Sequence, residues 1–336
     1  MSADALSPPY RVPLPPVADR IVWPEDFGTR FTVFVDVEEE FDWSAPLDRT
    51  HWSTTAIRAL PDAHRRFADR GVGLACMVDH PIACDPAAVE ILSRIVEDGR
   101  SEIGAQLHAW VNPPFREPET RAASYAGNLP RDLQAAKLAV LTDALTTAFG
   151  TRPRAYRAGR YGIGADSIAL LAAQGYRIDS SLRARYDYSG DGGPDFRDVD
   201  NHAHRRGPLL ELPLTTIFTG RLRRAGPQLD RALAGIPRGR GLFSRAGLLS
   251  RVALTPEDMP IADALEAVTV AAGEGLRLLN FSFHSPSLVP GHTPYVRDDE
   301  DRRAFDAWWT TMFDRLDRLG MRPASLAEIW GAADYA

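Results

Sequence analysis

"FTVFVDVEEEFDW", residues 31–43, begins as a buried strand and then turns acidic. Phe31, Val33 and Val35 alternate with Thr32 and Phe34, all β-branched or aromatic residues that suit a pleated strand. Asp36, Glu38, Glu39, Glu40 and Asp42 follow, broken only by Val37 and Phe41. Asp36 and Glu38 stand two apart, so on an extended chain they point the same way, about 7 Å apart along the backbone. Two charges about 6 Å apart at an effective dielectric of about 20 repel by about 3 kcal/mol. A cation or a shared proton must offset that, which makes Asp36 and Glu38 candidate site residues. Glu39, Glu40 and Asp42 read as a solvated acidic loop.

The rest of the chain alternates strand and helix signals. Strands are expected at 31–37, 72–78, 101–110, 155–157, 176–181, 209–215 and 277–283, with helical patterns in 53–71, 85–100, 128–150, 164–175, 299–319 and 325–331. Such alternation predicts parallel pairing and right-handed crossovers, and seven strands suit an α/β barrel better than separate domains. The expected organisation is a Pro-rich N-terminal extension over 1–29 and a single barrel domain over 30–332. An Arg-rich insertion at about 218–255 interrupts it, with eight arginines against one aspartate in 220–252.

Composition narrows the function classes. A net charge of -6 and a pI of about 5.8 give no global case for nucleic-acid binding. Cys76 and Cys84 offer neither a disulfide framework nor zinc-type spacing, so a reducing, cytoplasmic setting is expected. "MSADALSPPYRVPLPPVADR" lacks the basic-then-apolar pattern of a signal peptide, and no apolar run reaches the length of a membrane span.

In a parallel barrel, chemistry gathers where strands end. Here the ends carry Asp36 and Glu38, then Asp79 and His80, then His108 and Trp110. Arg157 and Arg160, Asp179 with Ser180 and Ser181, and finally His284 continue the series. Asp79 and His80 read as turn residues. The others would converge on one mouth.

The order of an acidic first strand, "EIGAQLHAW", "YRAGRYG", "DSS" and "FSFHSPSL" resembles the polysaccharide deacetylase (NodB homology) family, carbohydrate esterases that remove N- or O-acetyl groups from sugars. Its WalW-like branch, linked to lipopolysaccharide biosynthesis, is the nearest in flavour. The resemblance spans about residues 30 to 330 and implies a distorted seven-stranded (β/α) barrel. It makes Asp36 the general base, Arg157 its partner, Asp179 the residue that orients the arginine, and His284 the acid for the leaving group. It further implies a divalent metal such as zinc on Glu38 and His108, with Asp36 bridging or just behind. The family's usual pair of histidines four apart is absent: Gln106 and Trp110 occupy those positions, and His108 is the only imidazole there.

The implied chemistry is hydrolysis of a C–N or ester bond: Asp36 takes a proton from water and His284 protonates the departing amine or alcohol. Gln106, Trp110, Arg160, Tyr161 and His292 are candidate substrate contacts, and 285–301 is either a passive connection or a lid. The insertion is either a solvated rim or a patch for an anionic sugar phosphate or a membrane surface. Two alternatives stand beside the deacetylase: a metal-independent amidohydrolase acting on a small amide, and a degenerate saccharide-binding barrel.

Overall fold

Strand β1, Arg30–Val37, is buried along almost its whole length because helices cover one face and the barrel interior covers the other. Phe31, Val33, Val35 and Val37 join the outer core with Phe67, Trp309 and Phe313, whereas Phe34 joins the inner cluster with Met77, Ala155, Leu210 and Ile329. Side chains alternate along a strand, so Phe34 shares its face with Asp36. The parity of this one strand aims the first carboxylate into the barrel.

The computed structural model describes residues 9–334; the first eight residues of the Pro-rich extension lie outside them. The strands after β1 are β2 (Leu74–Val78), β3 (Glu102–Leu107), β4 (Ala155–Ala158), β5 (Ile178–Asp179), β6 (His204–Arg206) and β7 (Leu209–Glu211). Then come β8 (Thr216–Thr219), β9 (Ser250–Ala253), β10 (Leu278–His284) and β11 (Arg322–Pro323). The main sheet runs β10-β1-β2-β3-β4-β5-β7-β6, with β11 also pairing β1. Every pair in it is parallel except β6 with β7. It is a curled, open (β/α) half-barrel with eight strands along its path, one more than the seven expected. The extra strand, β6, folds back onto β7 through Gly207, whose φ of 58° suits a tight hairpin.

Single hydrogen bonds cross the gap between β10 and the segment after β7. Thr215 N–H donates to Asn280 O (3.1 Å), Leu254 N–H to Thr215 O (3.1 Å), and Ser282 N–H to Leu254 O (3.2 Å). The hairpin β8–β9 forms its own small sheet.

Helices fill the crossovers: α1 (Leu60–Ala68), α2 (His80–Ala83), α3 (Pro86–Val96), α4 (Arg131–Phe149) and α5 (Ser167–Ala173). Later come α6 (Gly226–Ala234), α7 (Gly239–Arg245), α8 (Ile261–Gly273), α9 (Asp299–Arg318) and α10 (Leu326–Asp334). Asp79 caps α2, accepting from Ile82 N–H at 2.9 Å, so the turn expected there is a helix start. Ile329 and Leu326 of α10, with Phe27, close the end of the barrel opposite the strand C-termini. No helix among the described residues is long and apolar enough to cross a membrane.

The loop after β3 is held by a fully buried lysine. Lys137 Nζ lies 3.0 Å from Glu117 Oε1 and donates to Ala109 O (2.9 Å) and Asn112 O (2.6 Å). Removing that cation leaves two buried carbonyls without a donor and Glu117 with Arg49 as its remaining close cation. Lys137→Met is expected to cost about 3–5 kcal/mol, read as a lower urea midpoint with an unchanged slope.

Candidate active site

Asp36 and His284 face each other because they are register partners on neighbouring parallel strands. His284 Nε2 lies 3.7 Å from Asp36 Oδ2. The other oxygen of Asp36 receives Arg157 Nη1 at 2.5 Å, and Arg157 Nη2 donates to Ser180 Oγ at 2.9 Å. Arg157 is fully buried, with its guanidinium 4.5 Å from the ring centroid of Phe34. The base, its cation and the acid named from the sequence thus meet at one point.

Glu38 continues the inward face of β1 and meets the end of β3. Its Oε2 accepts from Gln106 Nε2 (3.1 Å) and lies 3.3 Å from His108 Nε2. The other ring nitrogen of His108 is 2.7 Å from Glu39 Oε2. Glu39 is itself fixed, its backbone N–H donating to Asp79 Oδ2 at 2.8 Å. Trp110 stacks on the His108 ring at 4.3 Å, and Gly159 leaves room on another side. A Cβ on Gly159 would run into that ring and come within 2.8 Å of Leu107 O.

The acidic run after β1 is therefore not a solvated loop. Glu39 is fully buried against His108, and Glu40 is buried, accepting from Ser53 Oγ, Thr55 Oγ1 and the backbone N–H of Ala56. Only Asp42 is exposed.

Asp179 stands elsewhere than expected. Ile178 before it belongs to the inner cluster, so alternation turns Asp179 to the outer face, and it forms no hydrogen bond or ion pair with the guanidinium it was expected to orient. Ser180 takes that place. Asp179 instead accepts from Ser181 N–H (2.9 Å) and is the register partner of Glu211 on β7. Burial, uncompensated by the Ser181 bonds, raises Asp179 to about 6, and burial with Asp179 beside it holds Glu211 well above the carboxylate range. His292 is also displaced: it lies 3.9 Å from Glu40 and does not line the cavity.

A cavity of about 720 Å³ opens over these groups, within the range of small-molecule sites. Asp36, Glu38, Gln106, His108 and His284 form its floor, and Trp110, Arg160 and Tyr161 its wall, together with Trp43, Arg183 and Tyr295. Arg160 (φ 54°) and Tyr161 (φ 59°) are consecutive left-handed residues, a conformation that costs about 1–3 kcal/mol each and clusters at functional sites. The 285–301 segment is a packed wall: Tyr295 stacks edge-on against Trp43 at 5.6 Å and Val296 is buried.

Glu257 carries no mark in the sequence pattern. It sits in the loop after β9, places Oε2 2.7 Å from His284 Nδ1, and accepts from His284 N–H (3.0 Å) and Ser287 Oγ (2.6 Å). Burial opposes the His284 cation, but Glu257, Glu38 and Asp36 outweigh it and lift the imidazole to about 10. Burial likewise opposes charge on His108, yet Glu39 and Glu38 hold it well above the ordinary value. Burial, with Asp36 nearby, raises Glu38.

Two clusters can chelate a divalent metal: Asp36 with Glu38 and His284, and Glu39 with Asp79 and His108. They meet where Glu38 faces His108. The donors fit a metal at that junction in three respects. One ring nitrogen of His108 is anchored by a carboxylate, the usual arrangement behind a ligating imidazole. Gln106 Oε1 is buried with no hydrogen-bond partner. The buried carboxyl groups Asp36, Glu38, Glu39, Asp79 and Glu257 outnumber the cations Arg157, His108 and His284, an excess that a divalent ion would offset.

No family model matches the sequence, and neither does any curated protein. Solved structures do share the fold. A candidate polysaccharide deacetylase from Mycobacterium smegmatis aligns with a TM-score of 0.53 and 20% identity over 96% of this chain and 94% of that one. Puue allantoinase aligns with a TM-score of 0.51 and 12% identity over 93% of this chain and 91% of that one. At such identities the likeness is one of fold.

The buried Asp36–Arg157 pair gives a direct test. Arg157→Leu leaves Asp36 beside Glu38 with no guanidinium, and is expected to destabilise the fold by about 3–5 kcal/mol. Arg157→Lys restores the charge but not the Ser180 bond, and should recover part of that loss in a urea titration.

Proposed function

We propose that the protein is a hydrolase of the polysaccharide deacetylase type, removing an acetyl group from an amino sugar or acetylated glycan precursor. The observation that carries this is the meeting of Asp36, held by Arg157, with His284, held by Glu257, on the floor of one cavity. The resemblance to the WalW-like branch suggests a glycan of the lipopolysaccharide-precursor kind as substrate. Aromatic walls at Trp43, Trp110 and Tyr161 suit sugar rings. Two free cysteines, Cys76 buried and Cys84 exposed, suit a reducing cytoplasm.

Asp36 Oδ2, the oxygen not held by Arg157, takes a proton from a water as that water attacks the acetyl carbonyl. Arg157 balances the charge of the base. His284 Nε2–H then donates to the nitrogen or oxygen of the sugar as its bond to the acetyl carbon breaks, yielding acetate and a free amine or alcohol. Glu257 keeps the imidazole protonated and aims Nε2 into the cavity. Without a metal, Arg157 or Arg160 and backbone N–H groups would have to hold the developing oxyanion. Glu38 and His108, with Asp36 beside them, would hold a divalent metal, which when bound polarises the carbonyl and acidifies a water.

A second reading is an amidohydrolase on a small amide that works without metal. Trp110 stacked on His108, in place of a second imidazole, favours it.

Metal and acid roles separate by mutation. His108→Ala should abolish zinc binding in calorimetry, whereas His284→Ala should keep it and lower acetate release by about 10²–10⁴-fold. Zinc lost in His284→Ala but kept in His108→Ala would move the ion to the Asp36–Glu38–His284 cluster. Full acetate release after exhaustive chelation would favour the second reading.

The acid also predicts a pH profile. Because His284 is raised to about 10, the alkaline limb of kcat/KM should fall near that pH and not near the free-histidine value. Its stabilising contribution is complete below the unfolded value of about 6.5 and is lost as pH rises through the folded one. Glu257→Gln removes the strongest raising charge and should move the limb toward neutrality by about 1–3 pH units, while leaving zinc binding in place.

A further inference from the structure

Between β7 and β10 the chain inserts the β8–β9 hairpin, with α6 and α7 between its strands. Residues 220–252 carry a net charge of +7 in a chain whose total is -6. Some of these arginines answer local acids: Arg231 pairs with Asp198, and Arg240 and Arg251 converge on Asp230. Arg223 lies 3.9 Å from Glu274. Arg221, Arg224, Arg238 and Arg245 are exposed and form no ion pair among the described residues.

Aliphatic side chains stand among them. Leu222 is 40% exposed, Ile236 53% and Leu242 61%. Ile236 and Leu242 flank Gly239 at three-residue spacing around the start of α7, and Leu222 N–H donates to Leu248 O, just past the end of that helix (2.8 Å). Unpaired guanidinium groups interleaved with exposed leucine and isoleucine match one kind of surface. Arginine grips lipid phosphates while aliphatic chains enter the headgroup–acyl boundary. A nucleic acid would use the arginines and leave the aliphatic groups in water.

We propose that this lobe docks the protein on an anionic phospholipid surface. The lobe adjoins the cavity wall: Arg251 lies 3.9 Å from the ring centroid of Tyr186 and donates to Arg185 O at 3.2 Å, in the segment that supplies Arg183 and Tyr188 to the cavity.

The test is co-sedimentation of the full chain with phosphatidylcholine vesicles, with and without phosphatidylglycerol. Binding is expected only with phosphatidylglycerol and should weaken as salt rises. Arg238→Gln with Arg245→Gln should weaken it by roughly 25-fold, about fivefold per arginine. Leu242→Ser should weaken it further at constant charge, whereas Arg65→Gln with Arg94→Gln, on α1 and α3, should leave it unchanged. Thermal melts check that each variant is folded. Equal binding to both vesicle types, binding to neither, or equal loss in the α1/α3 control overturns the proposal. So does binding that inorganic phosphate abolishes at constant ionic strength, which assigns the arginines to a soluble anion, or binding to a DNA duplex without binding to vesicles.

Discussion

Negative charge concentrated at the end of one buried strand is the constraint on which the site depends. Asp36, Glu38 and Glu39 are all almost fully buried, and a carboxylate out of water persists only beside a positive partner. The cations come from far along the chain: Arg157 from β4, His108 from the end of β3 and His284 from β10. Each of the two histidines lies between two carboxylates, which fixes its ring and keeps it charged. Folding therefore assembles the charge pattern, and the charge pattern in turn selects this arrangement of strands.

Strand parity explains what was legible in the sequence. Asp36, Gln106, Arg157 and His284 each stand an even number of residues from an inward neighbour or pair in register with one, so a motif read along an extended strand places them correctly. Asp179 fails for the same reason: the motif gives its order in the chain, but Ile178 takes the inward place on a two-residue strand. The acidic stretch misleads differently. Glu39 and Glu40 look like a solvated run because nothing local shows that His108 and the 53–56 turn will fold over them.

Other features lay outside the reach of pattern. Strand β6 is three residues long and joins the sheet through a hairpin turn, too short for a periodic signal. Helix α8 is rich in alanine and valine and buried on one side by small residues, so it lacks the strong polar face that marks a surface helix. Glu257 sits in irregular chain, where neither period applies. Its role exists only because the insertion returns to the barrel beside β10.

That return ties two parts of the molecule together. Strand β9 leaves the lobe at Ala253, Leu254 stitches the sheet gap at Thr215 and Ser282, and Glu257 follows three residues later with its grip on His284. Anyone trimming the insertion to make a smaller protein would meet this at once. A shortcut drawn tightly from β7 to α8 discards the leash that aims the imidazole, however well the barrel itself survives. A minimal version has to keep Thr215 and the stretch from Leu254 to Glu257, and rejoin the chain on the lobe side of both.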